Sequence, residues 1–239
     1  MKRIASLLVL LAIISCKKEN QLNNSVIAKT DTVAIEKKSI APDTIFFTYD
    51  DKTKWNDFAV VYLLDKKYSE DSICTATFKI DFKGYNRQAN FSKTLKIKGV
   101  DEGAEWSGEL ELDSVASPLK RIDFGYPACG YTHNHYLFYI DGNNSNLIHE
   151  WFSSWDSGWG YWSGVVSGEP QDFYFRTESL SPVEESSTAE GDYEYASNEF
   201  TDSIHFKLEN NKWKKIFLTQ KDKVYRSRKV KFEEFYKQD

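Results

Sequence analysis

One segment of the chain, residues 122–175, has a composition typical of a functional site. Its 54 residues include no lysine or arginine, yet they hold seven of the twelve glycines, four of the seven tryptophans and three of the four histidines. The charged residues within it are all acidic. If the protein binds a ligand or performs a reaction, we expect the residues responsible to lie in this cation-free segment.

The densest group of aromatic residues in this segment runs from Trp151 to Trp162. Tryptophan and tyrosine rings can pack on the flat C–H faces of sugars, while nearby polar groups hydrogen-bond the hydroxyls. We therefore predict a glycan site with rings for stacking and one carboxylate as acceptor: Trp155, Trp159, Tyr161, Trp162 and Asp156. The alternative is that the rings fill a core and that Gly158 and Gly160 shape a turn or a bulge.

The same segment contains a pair of histidines. His133 and His135 are two residues apart, so on a β-strand their side chains point to one face. Imidazoles bind zinc, and a cysteine, another histidine or an acidic residue could supply a third ligand. A pairing of Ile140 with Leu147 would, however, turn His149 to the other face. Histidines packed among aromatic residues or exposed at the surface explain the pair without a metal, and we assign no metal ligand.

The local motifs of the common enzyme classes do not occur in the sequence. It has no Gly-x-Ser-x-Gly, no His-Glu-x-x-His, no phosphate-binding loop and no Cys-x-x-Cys. A platform for nucleic acid needs arginine or lysine among its aromatic rings, and the segment has neither. We therefore expect a non-catalytic protein with no cofactor and no nucleic-acid partner.

The N-terminus has the layout of a secretory signal. The basic residues Lys2 and Arg3 follow Met1. The next residues, Ile4–Ile14, form an apolar run that is too short to span a bilayer as a helix. The run ends Ile13-Ile14-Ser15-Cys16, which resembles the lipobox of bacterial lipoproteins. The resemblance covers only these sixteen residues, and it implies cleavage after Ser15 and acylation of Cys16 on its sulfur and its amine. The alternative is an ordinary signal peptide with a chance cysteine.

The resemblance to lipoproteins also implies a location. Two or three acyl chains hold a protein at a membrane, because each buried CH₂ contributes about 0.8 kcal/mol. Enteric bacteria use aspartate after the cysteine to retain lipoproteins in the inner membrane, but this chain has Lys17 there. We therefore expect the outer membrane, with the protein facing the periplasm or the cell surface. Loss of Lys2 and Arg3 leaves 29 basic and 36 acidic residues, a formal charge of −7.

Two cysteines remain after the leader, Cys74 and Cys129. The envelope permits disulfides, and this pair would close a loop of about 55 residues, a stabilisation of about 4 kcal/mol in the chain-entropy model. The alternative is two separately buried thiols, because free cysteine packs as a small hydrophobic residue. The sequence leaves both arrangements open.

Alternation of polar and apolar residues runs through most of the remaining chain. It is strict over residues 74–83, and it recurs at 91–97, 106–112 and 204–208. Turn-forming residues separate such runs, as at Asn210-Asn211. We therefore predict an all-β fold, a single antiparallel β-sandwich or barrel-like domain of about a dozen short strands.

The chain divides into three predicted segments. Residues 1–15 form the signal peptide, residues 16–43 a lipidated flexible tether of about 30 Å, and residues 44–239 the all-β domain. Within that domain we expect a hairpin through residues 99–105. Such a hairpin would bring Lys96 and Lys98 close to Glu109 and Glu111 on its solvent face.

We expect a lipid-anchored envelope protein that works as a non-catalytic binding or accessory domain, with a glycan as the favoured small ligand. Its partners would be the membrane, through the lipid, and a glycan or an envelope protein. One alternative is a metal-dependent hydrolase that uses His133 and His135. Another is a protein-interaction lipoprotein of the inhibitor or immunity type, binding through an edge strand or through residues 178–202, which hold eight acidic residues and no lysine or arginine.

Overall fold

Strands account for almost all of the secondary structure, as the alternation of polar and apolar residues predicts. The computed structural model describes residues 41–47, 57–83, 89–112, 117–126, 130–142, 144–187 and 192–235. Within these ranges there are a 3-10 turn at Glu184–Ser186, a short helix, α1, at Phe232–Phe235, and thirteen strands: β1 (Asp43–Phe46), β2 (Phe58–Tyr68), β3 (Cys74–Lys83), β4 (Ala89–Lys98), β5 (Glu105–Leu110), β6 (Leu119–Tyr126), β7 (Tyr131–Asp141), β8 (Asn144–Asp156), β9 (Trp159–Glu169), β10 (Asp172–Pro182), β11 (Tyr195–Glu209), β12 (Lys212–Phe217) and β13 (Arg226–Lys231).

The strands form two antiparallel sheets. The first has four strands in the order β1-β2-β3-β4. The second has nine, in the order β12-β11-β10-β9-β8-β7-β6-β5, with β13 paired to the other part of β11. The described residues from 41 to 235 belong to one compact unit. The prediction of an antiparallel, all-β sandwich is confirmed.

The first core lies between the four-stranded sheet and strands β5–β7. Phe82 on β3 packs on Phe138 on β7 with ring centroids 4.8 Å apart, and Phe78 packs on Phe124 at 5.3 Å. Burial of a side chain of this size contributes about 1.5–3 kcal/mol relative to leaving it exposed. This core joins the two sheets.

A second core forms because the nine-stranded sheet folds over on itself. Strands β8 and β9 pair only through residues 154–156 and 159–161. Beyond these pairs the strands separate, and side chains of β7 and β8 meet side chains of β10–β12. The ring centroids of Trp151 and Phe175 are 4.9 Å apart, and those of Tyr139 and Trp213 are 5.3 Å apart.

Strand β7 separates the two cores. Its even-numbered residues Tyr136 and Phe138 face the first core, and its odd-numbered residues Leu137 and Tyr139 face the second. All four side chains are buried. One face of this strand and of its neighbours therefore lies on the side of the first core, and the other face lies on the side of the second core.

The predicted turn at Asn210-Asn211 is confirmed. The two residues have φ values of 51° and 59°, and they join β11 to β12 through a two-residue hairpin. Asparagine tolerates such positive φ values better than most residues other than glycine, which favours it at this position.

The hairpin predicted through residues 99–105 is wrong. Strands β4 and β5 belong to different sheets, so the segment between them crosses from one sheet to the other. Lys96 pairs with Thr77 across β3, whereas Glu109 lies opposite Arg121 on β6. Alternation predicts that two strands exist, but it does not say whether consecutive strands pair.

Several predictions concern residues outside the described ranges. These include the signal peptide, Cys16, nearly all of the tether and Cys129. Across the ranges that are described, no helix has the length and apolar character needed to span a membrane.

Candidate functional site

An open cleft of about 220 Å³ lies at one end of the sandwich, where the connection between β4 and β5 faces strands β6–β8. Two aromatic rings on its walls are partly exposed, Tyr126 at 39% and Phe152 at 41%. A third ring, Phe124, is buried. The polar side chains around these rings include Lys98, Asp101, Thr132 and Asn134.

The register of three strands brings these residues together. Phe124 on β6 pairs with Asn134 on β7, which in turn pairs with Phe152 on β8. Gly125 allows the close approach, because a Cβ atom there would lie 2.1 Å from the carbonyl oxygen of Thr132. These residues therefore share the face of the sheet that also forms the first core.

The composition of the cleft suits a small, polar, uncharged ligand with apolar faces. Exposed rings pack on C–H groups, while an amide, a hydroxyl, a carboxylate and an ammonium group provide hydrogen-bond donors and acceptors. Pockets for drug-sized ligands usually measure roughly 300–1,000 Å³, so a cleft of this size suits one sugar unit better than a large ligand.

The five residues that we predicted to bind a glycan lie in two different environments. Trp159 stacks on Phe232 of α1 with ring centroids 4.3 Å apart, and Trp162 packs edge-on against Trp155 at 5.0 Å. Trp162 also contacts Phe235 of the same helix at 6.0 Å. The three indoles are half-buried, and they hold the C-terminal helix against the β8–β9 hairpin.

The other two predicted residues are exposed. Tyr161 is 39% exposed and pairs with Ser154, which places it on the cleft side of the sheet with its ring 6.1 Å from that of Phe152. Asp156 accepts a hydrogen bond from Ser157 at 3.0 Å in the β8–β9 turn. Of the five predicted residues, Tyr161 is the one that extends the aromatic surface of the cleft.

The opposite face of the same strands carries a network of charged residues around Arg121. The guanidinium donates to Glu111 at 2.7 Å, to both oxygens of Asp123 at 3.0 and 3.1 Å, and to Glu109. The side chains of Glu111 and Asp123 are about 10% exposed. Burial raises the pKa of Glu111, although Arg121 opposes that effect.

His135 is part of this network. Its Nδ1 lies 2.6 Å from Asp123 Oδ1, and its Nε2 lies 2.5 Å from Ser153 Oγ. Burial alone would raise the pKa of Asp123, but hydrogen bonds from His135 and Arg121 outweigh burial and hold that pKa below its ordinary value. The neighbouring His133 has a lowered pKa, chiefly because it is partly buried.

This geometry bears on the predicted histidine pair. His133 and His135 share a face as expected, but both ring nitrogens of His135 already have hydrogen-bond partners. Within the described ranges, no three histidine, cysteine, aspartate or glutamate side chains form a group that could hold a metal ion. Cys74 is buried, and its pairing with Cys129, which lies outside the described residues, stays a prediction.

The expected orientation of His149 is wrong. A shift in register between Leu137 and Phe138 places His149 opposite Leu137, on the same face as His135. Its ring packs edge-on against Phe175 at 4.8 Å and near Phe206 at 5.2 Å. No residue pattern indicates this bulge, and one extra residue in a strand exchanges the two faces of the residues beyond it.

The sequence-based prediction overlooked the residues that form the cleft and the network. The residues Tyr126, Asn134, Ser153 and Asp123 all lie in the cation-free segment, and composition is the one sequence feature that points to them. They come together only through the pairing of β6, β7 and β8. No family model, curated protein or solved structure significantly matches the chain.

Proposed function

We propose that this chain is a lipid-anchored protein of the bacterial outer membrane that works by binding a glycan in its end cleft. The observation that carries the binding function is the cleft itself, where two exposed rings stand beside an amide, a carboxylate, an ammonium group and a hydroxyl. The lipobox-like sequence at Cys16 supports the anchor. A tether without aromatic residues between Cys16 and the sandwich would hold the cleft clear of the membrane surface.

The anchor predicts a clear result for substitution of Cys16. In a bacterial host supplied with alkyne-tagged palmitate, we expect the wild-type chain to carry the tag and to sediment with membranes. Cys16→Ser removes the acceptor sulfur, so this variant should carry no tag and leave the membrane fraction, because no acyl chain remains to insert.

Lys17→Ala is the control for the Cys16 experiment, since it changes the neighbouring residue but keeps the acceptor sulfur. It should be tagged like the wild type. Mass spectrometry that finds Met1 intact, or an unmodified thiol at position 16, would contradict the anchor.

Binding in the cleft predicts a specific effect of Phe152. On a glycan array, we expect wild-type protein to retain a set of neutral sugars and Phe152→Ala to bind them about tenfold more weakly, which is about 1.4 kcal/mol. The substitution removes a ring that is 41% exposed, so it changes the ligand surface with little loss of core packing.

Tyr174→Ala is a matched control for Phe152→Ala, because Tyr174 is also 41% exposed but stacks on His205 at a distant part of the sheet. It should bind the array like the wild type. A wild-type protein that retains no glycan, or equal retention by both variants, would rule out the proposed site.

A further inference from the structure

Three side chains on neighbouring strands form a hydrogen-bonded chain of carboxylate, imidazole and hydroxyl. Asp123 on β6 pairs with His135 on β7, and Ser153 on β8 pairs with His133, diagonally across from His135 on the same face of the sheet. The two contacts of the imidazole measure 2.6 Å to Asp123 and 2.5 Å to Ser153. These are the distances at which a serine hydroxyl, a base and a group that orients the base act together.

Arg121 favours the ionised form of Asp123. Its Nε contacts both carboxylate oxygens of Asp123, at 3.0 and 3.1 Å, which favours the ionised carboxylate. An ionised carboxylate only accepts hydrogen bonds, so Nδ1 of neutral His135 must carry the proton. In this neutral form, Nε2 has a lone pair that can accept the hydroxyl proton of Ser153.

The surroundings of the imidazole are suited to a reaction. Trp151 stacks on His135 with ring centroids 5.0 Å apart and 15° between the planes, which limits rotation of the imidazole. The Nε1 hydrogen of this indole is buried without an acceptor among the described residues. Ser153 is half-buried and not fully enclosed.

We propose that Ser153 is a nucleophile that accepts acyl groups from small carboxylic esters. Its Oγ forms a bond to the carbonyl carbon while its proton passes to His135 Nε2. The tetrahedral intermediate then breaks its C–O bond to the leaving alcohol, which takes the proton from His135. Water then gives a proton to His135 Nε2 and forms a bond to the acyl carbon. The bond from this carbon to Ser153 Oγ breaks, Oγ takes the proton back from His135, and a carboxylic acid leaves.

This activity goes beyond the proposed binding function and is physically separate from it. Ser153 and Phe152 are neighbours in sequence, but consecutive side chains on a strand point to opposite faces. The cleft opens on the face of the first core, whereas Asp123, His135 and Ser153 lie on the face of the second core. Loss of one function therefore leaves the other testable.

The test is covalent labelling of the full-length protein with a biotinylated fluorophosphonate, followed by peptide mapping. We expect label on Ser153 in the wild type and none in Ser153→Ala. Ser154→Ala is the matched control, because this serine is also half-buried but lies on the opposite face of the same strand. The control should label at the wild-type rate. His135→Gln should label at least about 100-fold more slowly.

Asp123 acts as a positioning residue, and its role has a spectroscopic signature. The proton shared by His135 Nδ1 and Asp123 should give a downfield ¹H resonance in the wild type. Asp123→Asn should abolish this resonance and slow the labelling, whereas Ser153→Ala should keep it. Circular dichroism and thermal unfolding check that each variant is folded.

The wild-type reaction decides the proposal even if a variant fails to fold. Folded wild-type protein that takes up no fluorophosphonate would overturn it. Labelling at a residue other than Ser153, or undiminished labelling of folded His135→Gln, would also overturn it. These outcomes are independent of whether the chain binds a glycan.

Discussion

Replacing Arg121 with methionine should lower the free energy of unfolding by about 3–5 kcal/mol at neutral pH. Methionine keeps much of the volume of the side chain but removes its charge. The guanidinium is the shared donor to Glu109, Glu111 and Asp123, so the substitution leaves three carboxylates close together. Two of these carboxylates are about 90% buried, and an unpaired buried charge is costly.

Urea denaturation followed by tryptophan fluorescence measures the effect of Arg121→Met. The penalty should shrink as the pH falls, because protonation of Glu111, whose pKa burial already raises, relieves the repulsion. Lys67→Met is the control, since Lys67 forms an exposed ion pair with Asp65 at 3.1 Å and should cost less than about 1 kcal/mol. Equal effects of the two substitutions would contradict this role of Arg121.

The second large effect is a pH dependence that arises from His149. Burial among aromatic rings, together with the nearby Lys215 ammonium, lowers the pKa of His149 to about 4 from an ordinary value of 6.5. Lys215 Nζ lies 3.4 Å from His149 Nδ1 and can only donate, so the contact also favours the neutral imidazole.

The sign of this dependence follows from proton uptake. Above pH 6.5 the imidazole is neutral in both the folded and unfolded states, so it imposes no penalty. Between pH 6.5 and pH 4, His149 binds a proton in the unfolded chain but stays neutral in the folded chain. The free energy of unfolding therefore falls as the pH falls. We expect the contribution of His149 over this range to be about 2–3 kcal/mol.

Comparison of the wild type with His149→Asn isolates this contribution of His149. Unfolding free energies measured from pH 7.5 to pH 4 should fall less steeply for the variant. An NMR titration of the imidazole Cε1 proton gives the pKa directly. A midpoint near 6.5 for His149, or parallel pH curves for the two proteins, would contradict the prediction.

The strands could be predicted because alternation is a local property. Residues 74–83 alternate strictly, and β3 spans the same residues. The turn at Asn210-Asn211 was equally local, since the residue type itself favours the positive φ values. Neither observation required knowledge of which strands are neighbours.

The pairing between distant strands could not be predicted in the same way. The β4–β5 connection resembles a hairpin turn in sequence, yet it crosses between sheets. The face of His149 depends on one extra residue in the β7–β8 ladder. Both outcomes depend on long-range packing, in particular on the separation of β8 from β9 that creates the second core.

The candidate sites show the same contrast between local sequence patterns and the pairing of distant strands. Composition singles out residues 122–175, which contain the cleft residues Tyr126, Asn134 and Phe152, but the cleft itself depends on cross-strand register. The chain of Asp123, His135 and Ser153 carries no local motif, since its members are 12 and 18 residues apart. Tryptophan content was less informative, because Trp159 and Trp162 pack against α1.

The most direct test of the proposed function is to locate the bound sugar by NMR. ¹⁵N-labelled protein would be titrated with methyl glycosides of glucose, galactose, mannose and N-acetylglucosamine at millimolar concentration. We predict that at least one sugar shifts the backbone amides of Tyr126, Asn134 and Phe152 and leaves those of Trp159 and Trp162 unchanged. Shifts confined to the two tryptophans, or none with any sugar, would contradict binding in the cleft.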